Sequence, residues 1–212
     1  MSTGELEPGA LAEATLVSRA SEGDLASFEV LVRRYQGPVF RLALRMLADR
    51  GEAEDVVQDT FVLVWRRLPT LNDPARFHGW IYQVATRRCL DLLRTRLRPA
   101  APPTEAADLE PADLEPADLE PADLEISDGT TRATPVAVAD PAVAVERAAE
   151  PAGLDVVLQT LTDEQRACWV LHELHELTYP EIARATNLPV ATVRERIARA
   201  RQGLAKGMDP WR

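Results

Sequence analysis

The sequence predicts an all-α protein made of two small helical domains joined by an extended acidic linker. Apolar residues recur three and four positions apart through residues 15–98 and again through 153–206, the spacing of a helix with one buried face. Between these stretches Ala-Asp-Leu-Glu repeats at 107, 112, 117 and 122, three copies being followed by proline. A proline every fifth residue forbids a continuous helix, and the run lacks the apolar density of a core. Charge marks the same division. Residues 99–152 hold thirteen acids against Arg132 and Arg147, a net −11 within a chain whose total is −10. By contrast, 74–98 and 184–206 each carry +5. The overall charge argues against a nucleic-acid partner, and its location reverses that argument.

At 212 residues and 46% hydrophobic content, the chain has the material for one domain or two small packed ones. Residues 1–14 hold Glu5, Glu7 and Glu13 without a basic cluster or apolar block, so they read as a flexible tail rather than a signal peptide. The longest apolar runs, such as Phe61 to Trp65, are too short to insert into a membrane, which predicts a cytoplasmic protein. Cys89 and Cys168 stand far apart in apolar patterns and read as buried reduced thiols.

Asp24 is placed to cap a helix in which Leu25, Phe28, Leu31, Val32 and Tyr35 share a face. Gly37-Pro38 should kink or break it before Val39, Leu42, Met46 and Leu47 continue the pattern, and Gly51 should end that run. A third helix, Ala53 to Leu68, carries two faces. Val56, Val57, Thr60, Phe61, Val64 and Leu68 form a core stripe; Asp55, Gln58, Asp59, Val62 and Trp65 fall together elsewhere. An exposed tryptophan beside carboxylates suits a protein-binding patch. The same pattern also suits a helix whose tryptophan packs on a neighbour and whose acids are merely solvated.

Leu71-Asn72-Asp73-Pro74 reads as a turn into a helix from Ala75 to Leu97. There Phe77, Trp80, Ile81, Val84, Ala85 and Leu92 are apolar, and Gln83, Thr86, Arg87, Arg88 and Arg94 are polar. Aromatics interleaved with arginines suit melted DNA, where bases stack and phosphates need cations. A core helix with a basic solvated face is the competing account. Residues 99–152 then read as linker; Val136 to Val145 alternates Val and Ala around Pro141, a poor strand. As a flexible coil of about 50 residues, this linker would span roughly 35–45 Å r.m.s..

The second domain opens with Leu154, Val157, Leu158 and Leu161. Thr162-Asp163-Glu164-Gln165 marks the start of a helix running through Leu174. Pro180 suits a first helical turn, Asn187 the left-handed residue of a tight turn, and Pro189 the entry to a last helix. In that helix Val193, Ile197, Ala200 and Leu204 face inward, whereas Ala191, Thr192, Glu195, Ala198, Arg199 and Gln202 face out, with Arg194, Arg196 and Arg201 on the flanks. This is the layout of a helix-turn-helix whose basic second helix enters a major groove, where arginine reads guanine and glutamate reads cytosine. Residues 207–212 read as a tail.

Glu54-Asp55-Val56-Val57-Gln58-Asp59-Thr60-Phe61, Arg76-Phe77-His78-Gly79-Trp80-Ile81-Tyr82-Gln83-Val84-Ala85-Thr86 and Cys89-Leu90-Asp91-Leu92-Leu93-Arg94 together resemble domain 2 of the extracytoplasmic-function (ECF) sigma factors. Leu177-Thr178-Tyr179-Pro180-Glu181-Ile182-Ala183, followed by Ala191 to Arg201, resembles sigma domain 4. The resemblance implies a sigma factor that binds RNA polymerase core and directs promoter-specific initiation. It assigns Asp55, Gln58, Asp59, Val62 and Trp65 to the polymerase β′ clamp helices. To the −10 element it assigns Asn72, Asp73, Arg76, Trp80, Gln83, Thr86, Arg87 and Arg88, with Asn72 and Asp73 as candidates for holding a flipped base. Thr192, Arg194, Glu195, Arg196 and Arg199 fall to the −35 element, with nearby surface for the β flap. An anti-sigma factor is a further partner class. Gly79 stands before Trp80 where primary sigma factors pair aromatics, a departure at the melting wedge.

No enzyme is predicted, because the chain has neither a glycine-rich phosphate loop nor a nucleophile elbow. No cofactor or metal is expected either. His172 and His175 are three apart rather than the four that a zinc-protease helix needs, and read as solvent-facing or helix-end side chains. The rival function is a stand-alone helix-turn-helix transcriptional regulator, which accounts for the second domain but not for the acidic-glutamine helix ahead of it.

Overall fold

The structure, a computed structural model, describes residues 12–97 and 152–208, so the repeat segment and the Val136 to Val145 stretch lie outside the described residues. Among the described residues all regular structure is helical. The first module holds α1 (Glu13–Ser21), α2 (Leu25–Leu47), α3 (Arg50–Arg67) and α4 (Phe77–Leu97), with 3-10 turns at Leu68–Thr70 and Pro74–Arg76. The second holds α5 (Ala152–Leu158), α6 (Asp163–Glu173), α7 (Tyr179–Thr186) and α8 (Val190–Met208).

Helix α1 begins inside the stretch read as a tail. Leu16, Val17 and Ala20 are buried, and Glu13 accepts a 2.7 Å hydrogen bond from the Tyr35 hydroxyl. Asp24 caps α2 as expected, accepting from Ala26 N and the Ser27 hydroxyl. The next fifty residues overturn one local expectation and one alternative of another. Helix α2 runs unbroken through Pro38, because Tyr35, Val39 and Leu42 are all buried on the face that spans it and their packing outweighs the lost backbone donor. Gly51 does not terminate anything: Ala48 ends α2 in the left-handed region at φ 54°, and Asp49 then caps α3 by accepting from Glu52 N at 2.9 Å.

In the second module Thr162 and Gln165 form a reciprocal capping box at α6. Asn187 adopts φ 56° after α7, the left-handed turn the sequence predicts. Leu161 packs closely on Gly203, where a β-carbon would fall 2.9 Å from its Cδ2 and the leucine would have to shift. Val193, Ile197, Ala200 and Leu204 form the buried stripe of α8.

The modules touch. Helix α7 packs on α4, and α6 packs on α2 and α4, so one hydrophobic cluster runs through both. No helix among the described residues is long and apolar enough to cross a membrane.

Candidate functional site

Three faces hold the residues singled out by sequence. On α3, Asp55, Gln58, Asp59, Val62 and Trp65 are all exposed and lie along one side, opposite the buried Val56, Thr60 and Val64. The Trp65 ring packs on that of Phe28, their centres 4.7 Å apart, yet 37% of the residue remains open. Leu25, read from sequence as part of the α2 core face, is instead exposed. Capping by Asp24 starts the helix so that Leu25 lands at its rim. There it lines a shallow hollow with Phe28, Phe61, Val62, Trp65 and Arg66. Leu25 and Phe28 therefore extend the apolar part of this face, which the sequence confined to α3.

The second face is less uniform than its sequence suggests. Asn72, Asp73 and Arg76 are exposed in the turn before α4, where Asp73 caps the 3-10 turn and pairs with Arg76 at 3.3 Å. Trp80 is half-buried against Phe77. Arg88 reaches back to Asp59 at 2.7 Å, tying two residues that sequence allotted to different surfaces. Gln83 is half-buried, and Thr86 is fully buried with no partner for its hydroxyl. Thr86 thus supplies a polar group to a buried position of α4. Arg87 donates to the Arg184 carbonyl of α7 at 3.1 Å.

The third face is the outer side of α8. Ala191, Arg194, Glu195, Ala198, Arg199 and Gln202 are exposed in one stripe, Thr192 is half-buried at its edge, and Glu195 pairs with Arg199 one turn on. The guanidinium of Arg194 lies 5.4 Å from the Tyr179 ring centre. Arg196 departs from its expected place. Its side chain turns inward, 28% exposed, to meet Glu164 of α6 at 2.8 Å. Arg201 likewise binds Glu173, which raises its pKa.

Of the two alternatives for the histidines, the helix-end one holds: His172 lies in the last turn of α6 and His175 just past its end. His175 is buried, its Nδ1 sharing a 3.0 Å hydrogen bond with the Tyr82 hydroxyl, and His172 Nδ1 lies 3.2 Å from the Leu177 carbonyl. His175 lies against Tyr82 of α4, and the half-buried His172 against Tyr179 of α7. Among the described residues no group of three His, Cys, Asp or Glu is placed to hold a metal ion. Cys89 and Cys168 are buried thiols, as predicted, and burial pushes both up to about 12.

Comparison with known proteins matches the same two modules. Residues 31–98 match the family Sigma-70 region 2, and residues 153–204 match Sigma-70, region 4. The RNA polymerase sigma-H factor of Pseudomonas aeruginosa is 31% identical over 92% of this chain and 93% of its own length. The ECF RNA polymerase sigma-E factor of Salmonella typhimurium is 29% identical over 94% of this chain and 96% of its own. Among solved structures, the fold resembles CnrH in complex with the cytosolic domain of CnrY, with TM-score 0.60 and 24% identity over 93% of this chain and 97% of that one. It also resembles the sigma factor RpoE in complex with the anti-sigma factor NepR from Bartonella quintana, with TM-score 0.53 and 16% identity over 84% and 92%. Both regions matched in order, together with a relative aligned over nearly its whole length, place the chain in the ECF branch of the sigma-70 family.

Proposed function

We propose that the three faces divide the work of initiation among them. As an ECF sigma factor the chain binds RNA polymerase core and directs promoter-specific transcription initiation. The face of Asp55, Gln58, Asp59, Val62 and Trp65 meets the β′ clamp helices: an apolar anchor ringed by acids suits a basic helical partner. The stripe of Arg194, Glu195 and Arg199 reads the −35 duplex in the major groove, beside surface for the β flap. Asn72, Asp73, Arg76 and Trp80 engage the −10 element, with Gln83, Thr86 and Arg87 joining once α4 is uncovered and Arg88 once it leaves Asp59. Bond formation is left to the polymerase. The chain works in the cytoplasm, beside the chromosome. An anti-sigma factor is proposed as a further partner, on the fold's likeness to sigma factors solved with one.

The observation that carries this reading is the exposed α3 face standing ahead of a helix-turn-helix, an order that a stand-alone regulator has no use for. Run-off transcription with purified core on templates varied at −35 and −10 tests it. Core plus this chain is expected to initiate at a promoter subset that core alone ignores. If core initiates no better with the chain than without it, while the chain alone binds duplex sites specifically, the regulator reading replaces this one.

A further inference from the structure

Helix α7 packs on α4, with Glu181 over Gly79 and the Arg184 carbonyl beside Arg87. The approach is close. The Glu181 carboxylate sits over Gly79, where a β-carbon would fall 2.8 Å from Oε1, so a larger residue could not stand under it without displacing it. Arg87 and Arg184, and Gln159 and the Arg45 carbonyl, add hydrogen bonds across the junction. Asp155 lies 3.7 Å from Arg45. This contact covers part of α4 and holds α8 at one fixed offset from it, although a promoter presents its two elements to separated modules.

At the centre of the junction sit Tyr82 and His175, both buried, with ring centres 4.6 Å apart. The groups facing His175 are unfavourable to a positive charge. Arg41 and Arg45 approach from α2 and His78 from α4. Tyr82 offers a hydroxyl that burial keeps protonated, and the nearby carboxylate of Glu13 is engaged by the Tyr35 hydroxyl. His175 Nε2 and Thr86 Oγ1 are both buried there without a hydrogen-bond partner, so the junction is held against a cost. A proton on His175 would place a buried cation beside two arginines with a neutral hydroxyl as its contact.

We propose that the α4–α7 contact is a closed, self-occluding state of the free chain, latched by the Tyr82–His175 pair and opened when His175 takes up a proton. Its meaning for transcription rests on the initiation reading above; the closure itself does not. In the closed state burial, Arg41, Arg45 and His78 push His175 down to about 3, whereas an opened, solvated imidazole returns to about 6.5. The lowered value fixes the sign. Closure is fully favoured above about pH 6.5, and the closed-to-open ratio falls about tenfold for each pH unit below it. Between pH 7.5 and 5.5 that ratio should drop about tenfold.

The test places spin labels on the full chain at Arg33→Cys and Gln202→Cys, both exposed, one in each module. Cys89 and Cys168 stay unlabelled because they are buried and held as thiols. Pulsed dipolar spectroscopy at pH 7.5 should give one narrow distance. At pH 5.5 a broad, longer population should grow by about the tenfold ratio change. His175→Gln, uncharged at both pH values and checked for helicity by circular dichroism, should lose the pH response, which separates His175 from the neighbouring His78. A broad distribution at pH 7.5 in the unsubstituted chain overturns closure. A His175→Gln chain that opens with pH like the parent overturns the latch. Because neither polymerase nor DNA is present, a chain that closes as described yet fails in run-off transcription would sink the initiation reading and leave the latch standing.

Discussion

Trp65 divides its surface between Phe28 and solvent, and that division makes it separable from the core. A side chain needed only for packing would be buried like Phe77. Trp65→Ala is therefore expected to weaken binding to labelled polymerase core by about 30-fold or more, roughly 2 kcal/mol for a central aromatic anchor, while the melting temperature moves little. A large melting change with unaltered core affinity would return Trp65 to a structural role. The arginines of α8 divide in the same manner. Arg199 is exposed in the outer stripe, whereas Arg196 is folded onto Glu164. Arg199→Ala should lose about 1–3 kcal/mol of discrimination at one position of the −35 element. Arg196→Ala should leave base preference unchanged and cost stability instead, about 1 kcal/mol for a pair whose glutamate stays open to solvent. Selection of promoter variants by the reconstituted holoenzyme, run beside thermal melts, distinguishes the two.

Helix boundaries were legible where a capping residue and its partner stand at fixed spacing, and illegible where a strong local signal competes with packing. Thr162 with Gln165, and Asn187 after α7, were readable because the chemistry that ends a helix lies within three or four residues of its end. Asp49 and Glu52 carry the same spacing, but Gly51 between them reads as a stop and masked it. Pro38 misled for the opposite reason: the rule against interior proline is local, and the buried Tyr35, Val39 and Leu42 that override it act through tertiary contact. Where the local signal is real, removing it should have a measurable cost. Thr162→Ala deletes both the acceptor for Gln165 N and the geometry that lets Gln165 return a bond to the Thr162 backbone. The expected loss is about 1 kcal/mol. Calorimetry should show it as a fall of several degrees in the transition of the second module. An unchanged transition would mean that packing of α6 on α8, not its cap, sets where the helix begins.

At the scale of the whole molecule, sequence spacing predicts which residues share a helix face but not which helix will cover it. The exposed faces of α3 and α8 were readable because each is the complement of a buried stripe on the same helix. Burial of His175 was not, because it depends on a contact between residues about ninety positions apart. Charge is the one long-range property that composition does report, and it motivates a last experiment. The segment between the modules carries −11, opposite in sign to both flanking segments and to any channel that later holds nucleic acid. By resemblance to sigma linkers we propose that it occupies such polymerase channels before RNA does. Replacing the eight acids of the four Ala-Asp-Leu-Glu units by Asn and Gln keeps length and removes most of the charge. If attraction matters, this variant will change the yield of early transcripts or the rate of promoter escape. That difference will shrink with added salt, since screening acts over about 10 Å at 0.1 M. If the neutral chain matches the original at every salt concentration, the segment contributes reach alone, and its acids have no part in initiation.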